Sequence, residues 1–244
     1  MQHLLIRDKL GESTVAKRKK QFKTNVRSLI TKFNPKSPIS EQYRTIRTNI
    51  EFASVDATMR SLLVTSSGPS EGKSSTTANL AVVFAQQGKK VLLIDADLRK
   101  PTVHYTFKLD NRAGLSTVLV GEKSLEEATK ETDVPNLDIL TCGPIPPNPS
   151  ELLGSNAMKQ LILKAQETYD MVIFDTPPVL AVTDAQILAN TCDGALIVVR
   201  SEQTEYDAIQ KAKELLEPAH AKLLGIVLND VAQKKSNTYY YYGS

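Results

Sequence analysis

Short apolar runs alternate with longer amphipathic segments along the chain from residue 61 onward. The runs contain few polar positions, so they match strands covered by helices on both faces rather than strands with one wet face. Alternation of strand and helix implies right-handed βαβ crossovers. The pattern therefore predicts an α/β fold, a doubly wound and mainly parallel sheet flanked by helices. The six predicted strands are LLVTS (62–66), KVLLIDAD (90–97), LDILTCG (137–143), MVIFD (171–175), GALIVVR (194–200) and KLLGIVLND (222–230).

Helical segments are predicted between these strands. The predicted helices are STTANLAVVFAQQG (75–88), a small helix around SLEEATK (124–130), a helix over roughly 155–168, DAQILAN (184–190) and TEYDAIQKAKELLE (204–217).

A further helix is predicted ahead of the first strand, through ISEQYRTIRTNIEF (39–52). Ser37 followed by Pro38 is typical of a helix start. The apolar stripe that we expect to pack on the domain body consists of Ile39, Tyr43, Ile46 and Ile50. A second row on a different side of the helix is expected to stay free of the body, and it consists of Glu41, Arg44 and Arg47. On residue types alone, an exposed intrahelical ion-pair ladder explains that row.

The charge of the chain is uneven. Residues 1–36 hold ten Lys and Arg against Asp8 and Glu12, a net charge of +8, whereas the remainder has 20 basic and 25 acidic residues, a net charge of −5. The pattern predicts a basic N-terminal arm (1–36) that is flexible or faces an adaptor or a membrane. Nucleic acid is not expected as a partner, because only Phe22 and Phe33 are interleaved with the basic residues.

The main domain is expected over 37–230, followed by a flexible C-terminal tail over 231–244. The tail begins with the polar, unpatterned stretch VAQKKSN, which favours a mobile terminus. Half of the eight tyrosines of the chain then follow one another as Tyr239, Tyr240, Tyr241 and Tyr242.

The composition indicates a globular cytoplasmic protein. Hydrophobic residues make up 41% and charged residues 23% of the 244 residues, values typical of a domain with a sizeable core. No apolar run approaches the roughly 20 residues of a membrane span, and MQHLLIRDKL lacks the layout of a secretion signal. Cys142 and Cys192 have no metal-ligand spacing, which suits a reducing compartment.

A phosphate-binding loop is predicted at SGPSEGKSS (67–75), between the first strand and the following helix. Ser67 occupies the position where such loops usually begin with glycine. Gly72 lets the backbone approach phosphates, Lys73 supplies positive charge, and the Ser74 hydroxyl is a magnesium ligand. The residues expected to contact the nucleotide in this loop are Gly68, Gly72, Lys73, Ser74 and Ser75.

Three carboxylates end predicted strands on the same edge as this loop. Asp95 and Asp97 follow the second strand, and Asp175 ends another. Ligands of open parallel sheets bind at this edge. Any one of the three could serve as a helix cap or make a loop hydrogen bond. Together with the loop they predict an enzyme that binds a magnesium nucleotide.

These motifs together resemble those of the bacterial tyrosine kinases that accompany capsule and exopolysaccharide machinery. The Walker motifs are shared with all P-loop ATPases, whereas their combination with an ExxRxxR motif and the tyrosine cluster is specific to that family. The resemblance runs from about Pro38 to the C-terminus and implies a P-loop NTPase of the MinD and nitrogenase-iron-protein-like branch. The matching segments are Walker A (67–74), Walker A′ LLIDADLRKP (92–101), Walker B VIFDTPP (172–178), ExxRxxR in EQYRTIR (41–47), GPIPPNPSELL (143–153) and the tyrosine cluster.

The resemblance implies an ATP- and Mg²⁺-dependent kinase that autophosphorylates its tail, largely in trans, and regulates capsule or exopolysaccharide production. Lys73 and Ser74 would hold phosphates and magnesium, and Asp97 and Asp175 would organise the metal. Asp95 would be the base, since a phenol with a pKa of about 10 is protonated at neutral pH. By similarity, Asn229 would contact adenine, although an Asn-Asp turn also explains it. Arg99 and Lys100 add positive charge near this edge, as phosphate-steering or simply solvated residues.

The resemblance also implies partners. Related kinases form rings in which the equivalents of Glu41, Arg44 and Arg47 contact the neighbouring subunit. The chain would work as a separate kinase at the inner face of the membrane, activated by a transmembrane adaptor. Protein tyrosine substrates and a counteracting tyrosine phosphatase complete the expected set.

Two alternatives stay open at this stage. One is an ATPase switch of the MinD or ParA kind without tyrosine transfer. Such proteins carry a signature lysine early in the phosphate loop, and Ser67-Gly68-Pro69 has none. The other is a scaffold whose tail is an aromatic docking peptide.

Overall fold

A seven-stranded sheet forms the centre of the molecule in the computed structural model, which describes residues 29–53 and 59–232. All neighbouring strands are parallel except β3, which pairs antiparallel with β4. The order across the sheet is β3-β4-β2-β5-β1-β6-β7. The strands are β1 (Ser61–Ser66), β2 (Val91–Asp95), β3 (Lys130–Glu131), β4 (Leu137–Leu140), β5 (Met171–Asp175), β6 (Gly194–Arg200) and β7 (Lys222–Asn229).

Helices cover both faces of the sheet, as the apolar runs predicted. Leu63 of β1 belongs to one buried cluster, and its neighbours Leu62 and Val64 belong to a second cluster on the opposite face. Burying each such side chain stabilises the fold by about 1.5–3 kcal/mol. The described helices are α1 (Ile30–Phe33), α2 (Pro38–Phe52), α3 (Lys73–Gln86), α4 (Val103–Phe107), α5 (Leu115–Leu119), α6 (Leu125–Ala128), α7 (Pro149–Leu153), α8 (Asn156–Thr168), α9 (Asp184–Ala189) and α10 (Tyr206–Leu216).

The fold class and all six predicted strands are confirmed, and the differences concern short elements and one edge. Four helices of four or five residues, α1, α4, α5 and α7, and the two-residue strand β3 were not predicted, because they span too few residues to show a period. Burial on both faces does not hold for β7, where Ile226 and Leu228 are exposed. Among the described strands, β7 is the last of the sheet and pairs only with β6.

Helix α2 begins as its sequence predicts. Ser37 is its N-cap and accepts a hydrogen bond from the backbone N–H of Ser40 at 3.1 Å. Ile50 is buried, and Tyr43 and Ile46 pack against the core. The prediction that Ile39 belongs to the packed stripe is wrong, since that first-turn side chain is exposed.

The packed body begins at or before Leu29, ahead of the predicted boundary at 37. Leu29 is buried, and the fully buried Thr31 of α1 is tied to α3. Its backbone N–H and its hydroxyl both donate to Oδ1 of Asn79, at 3.1 and 2.8 Å, and Nε2 of Gln86 donates to its carbonyl at 3.0 Å. The rest of the predicted arm (1–28) lies outside the described residues.

No helix in the described part of the chain combines the length and the apolar character needed to cross a membrane.

The attachment of α1 predicts a measurable stability loss for Asn79→Ala. The change leaves the buried N–H and hydroxyl of Thr31 without their acceptor, which we expect to lower the free energy of unfolding by about 1–3 kcal/mol. Urea denaturation measures it. The matched control is Gln87→Ala, which removes one hydrogen bond between the exposed Gln87 side chain and Glu51 and should change stability by less than about 0.5 kcal/mol. Equal losses for the two variants would contradict the role of Asn79.

Candidate active site

The phosphate loop joins the end of β1 to the start of α3, at the carboxyl edge of the sheet. Gly72 is the N-cap of α3 and adopts a left-handed conformation with φ of +88°. In the described chain no side chain caps the first turn of α3. The N–H groups of that turn are therefore available to an anion, which the start of a long helix favours.

Asn229 fixes the turn at Gly72. Its Nδ2 donates to the carbonyl oxygen of Glu71 at 3.0 Å. A Cβ added at Gly72 would lie 1.9 Å from the same Nδ2, so a side chain cannot be placed there without displacing Asn229. The predicted adenine contact thus lies against the phosphate loop, and its role toward adenine stays a prediction.

Glu71 holds the phosphate loop in shape and was not among the predicted site residues. Its buried carboxylate accepts hydrogen bonds from the Ser67 hydroxyl at 2.6 Å, the Gly68 N–H at 2.8 Å and the Thr204 hydroxyl at 2.6 Å. These contacts explain why serine stands at the usual first glycine, because its hydroxyl closes the loop. The contact with Thr204 has no local signal, because Thr204 is 133 residues away in the sequence.

Lys73 brings together the predicted acidic residues. Its Nζ lies 2.6 Å from Oδ1 of Asp175, 3.8 Å from Oδ2 of Asp97 and 3.2 Å from the Ser74 hydroxyl. The Lys73 side chain is itself mostly buried. One ammonium thus neutralises charge from the ends of two strands, in a setting that excludes most of the water.

Asp95 lies beside Asp175 in the sheet, because these two residues are register partners on β2 and β5. Its Oδ2 accepts the N–H groups of Thr102 and Val103, both at 2.9 Å. Burial, and then repulsion from the Asp175 carboxylate, raise the pKa of Asp95 to about 7. One buried oxygen on each carboxylate, Oδ1 of Asp95 and Oδ2 of Asp175, has no hydrogen-bond partner among the described residues.

A cavity of about 1690 Å³ opens over the loop. Asp95 and Asp175 have no exposed surface, so they lie below the residues that line it. The predicted site residues that line the cavity are Gly68, Gly72, Lys73, Ser74, Ser75, Asp97 and Asn229.

No group of three or more His, Cys, Asp or Glu in the described ranges is arranged to hold a metal ion by itself. Magnesium usually keeps several waters and takes only one or two carboxylates together with phosphate oxygens. The Ser74 hydroxyl, Asp97 and the unpartnered oxygen of Asp175 suit such a site.

Arg99 and Lys100 differ in placement. Lys100 lines the cavity, whereas Arg99 points to Asp184, with Nε to Oδ2 at 2.9 Å and Nη2 to Oδ1 at 3.0 Å. Asp184 is fully buried, and the Ser150 hydroxyl also donates to it. Phosphate steering by Arg99 is therefore wrong for this structure, since its guanidinium neutralises a buried carboxylate.

The row predicted to stay free on α2 is only partly free. Arg44 pairs with Glu41 at 2.5 Å and donates to the carbonyl of Pro35 at 2.7 Å. Arg47 donates from Nη1 to the carbonyl of Val83 at 2.9 Å, so this side chain is committed to α3. The expectation of three free side chains is wrong for Arg47. The tail tyrosines, Tyr239 to Tyr242, lie outside the described residues.

The fold and the loop define a P-loop nucleotide-binding protein. Comparison with known proteins shows which P-loop proteins the chain is similar to. The protein family described as an AAA domain matches residues 64–223. The tyrosine-protein kinase YwqD of Bacillus subtilis is 57% identical over 230 residues, covering 94% of this chain and 97% of that protein. The tyrosine-protein kinase etk of Escherichia coli is 37% identical over 85% of this chain, which corresponds to 29% of that longer protein.

Similar solved structures support the same family. The chimerical protein CapA2B2 superposes with a TM-score of 0.82 at 48% identity, over 84% of this chain and 90% of that one. The kinase domain of Escherichia coli ETK gives 0.82 at 36% identity, over 89% and 86%. MinD of Pyrococcus furiosus gives 0.59 at 28% identity, over 69% and 71%. The chain belongs to the bacterial tyrosine-kinase family of P-loop proteins.

The geometry at Gly72 predicts that Gly72→Ala impairs nucleotide binding. Alanine meets both the left-handed backbone conformation and the Asn229 amide, a strain of about 1–3 kcal/mol that the loop can relieve only by moving. We expect about a tenfold or larger rise in the Kd of a fluorescent ADP analogue. Gly88→Ala is the control, since Gly88 also has positive φ but no atom of the described residues lies within 4 Å of its added Cβ. Equal effects would show that backbone strain alone, rather than the loop contact, is being measured.

Proposed function

We propose that the chain is an ATP- and Mg²⁺-dependent protein-tyrosine kinase that phosphorylates its own C-terminal cluster, Tyr239 to Tyr242, largely between copies in an oligomer. Through this reaction it would regulate capsule or exopolysaccharide production. The observation that carries the proposal is the buried set of Lys73, Asp175 and Asp97 next to the uncapped start of α3. The names of the relatives support tyrosine as the acceptor.

The phosphate groups of ATP would be held by backbone N–H groups of the loop and by Lys73. Bound magnesium would neutralise phosphate charge, with Ser74, Asp97 and Asp175 as the residues that hold it. The unpartnered oxygen of Asp175 and the nearness of Ser74 to Lys73 support this set. Gly68, Ser75 and Asn229 would complete the nucleotide contacts.

Asp95 is the proposed base for the tyrosine hydroxyl. Its carboxylate is held in place by two backbone N–H groups and keeps one oxygen without a partner among the described residues. That oxygen can accept a proton, while the other fixes the orientation of the group. A positioned carboxylate of this kind contributes about 10²–10⁴-fold to proton-transfer steps.

The proposed setting is the cytoplasmic face of the membrane. Two of the relatives are about as long as this chain, whereas others, such as etk, are much longer proteins of which it matches one part. The chimerical protein CapA2B2 is among the similar structures, which supports an adaptor as a partner. Other protein tyrosine substrates and a counteracting tyrosine phosphatase belong to the same proposal.

A MinD-like ATPase switch is the second candidate, supported by the likeness to MinD. The phosphate loop argues against it. Ser67, Gly68 and Pro69 leave no lysine in the early part of the loop. Hydrolysis of ATP without any phosphotyrosine would favour the switch.

Separate substitutions test nucleotide binding and proton transfer. Lys73→Met should lower phosphotyrosine formation by at least about 100-fold, because it removes a charge that stabilises the transferring phosphoryl group. Asp95→Asn should lower it by about 10²–10⁴-fold while nucleotide still binds, since an amide oxygen can accept the Thr102 and Val103 N–H groups. Anti-phosphotyrosine blots and equilibrium dialysis with ADP measure the two effects. Near-normal transfer by Asp95→Asn would remove Asp95 as the base.

The oligomer contact is tested at the accessible part of the row on α2. Glu41→Ala with Arg44→Ala should reduce the particle mass in light scattering, because it removes the exposed ion pair proposed to meet a neighbour. Gln42→Ala, one position along the same helix and also exposed, is the control and should keep the mass. An unchanged mass in the double variant would remove these residues from the contact.

A further inference from the structure

Three side chains form a hydrogen-bonded cluster near the acidic site without lining the cavity above it. Arg99 donates from Nε to Oδ2 of Asp184 at 2.9 Å and from Nη2 to Oδ1 at 3.0 Å. The same Nη2 donates to the Ser150 hydroxyl at 3.0 Å, and that hydroxyl donates to Oδ1 of Asp184 at 2.8 Å. None of the three is among the residues that line the cavity. We call them the Arg99 cluster, and the proposed function assigns it no task.

The Arg99 cluster joins the connections that follow three neighbouring strands. Strand β2 lies between β4 and β5 in the sheet, and it is parallel to both. The three connections therefore leave from the same edge of the sheet. Arg99 belongs to the connection after β2, Ser150 to α7 after β4, and Asp184 is the first residue of α9 after β5. Arg99 thus reaches from the middle connection to both of its neighbours.

Asp184 differs from the acids of the active site in its hydrogen bonding. Its carboxylate is fully buried, and each of its two oxygens accepts at least one hydrogen bond. Asp95 and Asp175 are equally buried, but each of them keeps one oxygen without a partner among the described residues. An acid whose oxygens are both engaged by fixed donors is suited to anchoring another segment of the chain rather than to binding a ligand.

The connection that Arg99 holds carries two of the predicted site residues. Asp97 comes two positions before Arg99, and its Oδ1 accepts the N–H of Lys100 at 3.0 Å, one position after Arg99. Arg99 therefore lies inside the bend that orients the Asp97 carboxylate, whose Oδ2 lies 3.8 Å from Nζ of Lys73. The N–H groups that hold Asp95 follow in the same connection.

The two anchoring sides of the cluster are fixed in turn. The segment 143–153, which ends with α7, begins at Gly143, and the Asn111 side chain exchanges two hydrogen bonds with the Gly143 backbone, both at 2.9 Å. The connection before α9 is tied to β1, since the N–H of Val179 donates to the carbonyl of Ser66 at 2.8 Å. The guanidinium is thus bound to two supports that are themselves held in place.

We propose that Arg99 is a positioning residue for the reaction: by binding Asp184 and Ser150 it holds the connection after β2 in the conformation that keeps Asp97 in place for the magnesium of a bound nucleotide. The inference rests on the proposed function, which assigns Asp97 to the metal. A lysine supplies the same charge, but the planar fork of arginine contacts both oxygens of one carboxylate. The cluster gives a task to the arginine of DADLRK and to the serine of GPIPPNPSELL.

Positioning and stability can be separated by removing both charges together. Replacing a buried ion pair by apolar side chains of similar size often leaves stability unchanged or raises it, whereas removing one partner leaves a buried charge unpaired. The test variant is therefore Arg99→Met with Asp184→Leu in the full chain. It keeps an apolar contact between the two connections but loses the hydrogen bonds that fix their relative position. Thermal denaturation confirms that the variant is folded.

The readout is the dependence of nucleotide binding on magnesium. The Kd of a fluorescent ADP analogue is measured in EDTA and in saturating Mg²⁺. In EDTA the double variant should differ from the wild type by less than about twofold. In Mg²⁺ its Kd should be about tenfold higher or more, because loss of a group that holds a metal-binding side chain in place costs about 10–100-fold in metal affinity. Phosphotyrosine formation should fall by a similar factor.

The matched control is Lys164→Met with Glu126→Gln. This ion pair also joins two helices, with Nζ of Lys164 2.7 Å from Oε1 of Glu126, but its side chains are 52% and 64% exposed and neither lines the cavity. Both Kd values and phosphotyrosine formation should stay at the wild-type level. If the control showed the same rise of the Kd in Mg²⁺, loss of any ion pair between helices would suffice, and the role of Arg99 would be overturned.

Arg99→Lys replaces the double variant if that variant does not fold. It retains a charge beside Asp184 and loses the two-point contact, so we expect the Kd in Mg²⁺ to rise about threefold or more and the Kd in EDTA to stay unchanged. A folded variant with a wild-type Kd in Mg²⁺ would overturn the positioning role. Equal rises in EDTA and in Mg²⁺ would also overturn it, since they would indicate general damage to the nucleotide site.

Failure of the proposed function gives a different result. If the wild-type chain forms no phosphotyrosine with Mg-ATP, the proposed function fails, whereas the Kd values in EDTA and in Mg²⁺ still decide the role of Arg99. If Mg²⁺ does not tighten ADP binding by the wild-type chain, Asp97 has no metal to hold. The inference about Arg99 is then overturned even where the chain phosphorylates tyrosine.

Discussion

The burial of two carboxylates at the ends of neighbouring strands is the constraint on which this structure depends. Asp95 and Asp175 are register partners, and neither has exposed surface. A buried charge without a partner costs several kcal/mol, so one cation has to be brought to this point. Lys73 is that cation, and it reaches the acids because α3 starts where the phosphate loop ends. The phosphate loop, α3 and the strands are thus held together by an ion pair as well as by packing.

The same constraint shapes the loop around the acids. Asp95 accepts two N–H groups from the start of α4, and Asp97 accepts the N–H of Lys100. The segment after β2 therefore binds these two carboxylates through its backbone N–H groups. The Arg99 side chain also attaches the segment to Asp184. Arg99 of the DADLRK stretch can therefore hold this segment in place although its side chain points to Asp184. Its neighbour Lys100, one position on, lines the cavity.

The fold and the centre of the site could be predicted because their signals are local. The apolar runs mark the strands, and the position of Gly72-Lys73-Ser74 between strand and helix marks the loop. Contacts over long sequence separations could not be predicted in this way. Arg47 bonds the carbonyl of Val83, Arg99 bonds Asp184, and Glu71 bonds Thr204. In each case the residue type suggests a charged surface group, and only the packing of another element shows that its partner lies within the molecule.

The depth of the acids bears on the kind of acceptor that the proposed function requires. Asp97 lines the cavity, but Asp95 lies below it without exposed surface. A hydroxyl acceptor must therefore be presented on a side chain long enough to descend while its own backbone stays at the rim. The serine hydroxyl is one carbon from its backbone, whereas the tyrosine hydroxyl stands at the far end of a rigid ring. For Asp95 as the proposed base, its position below the cavity favours a phenol over a short alcohol, by reach rather than by acidity.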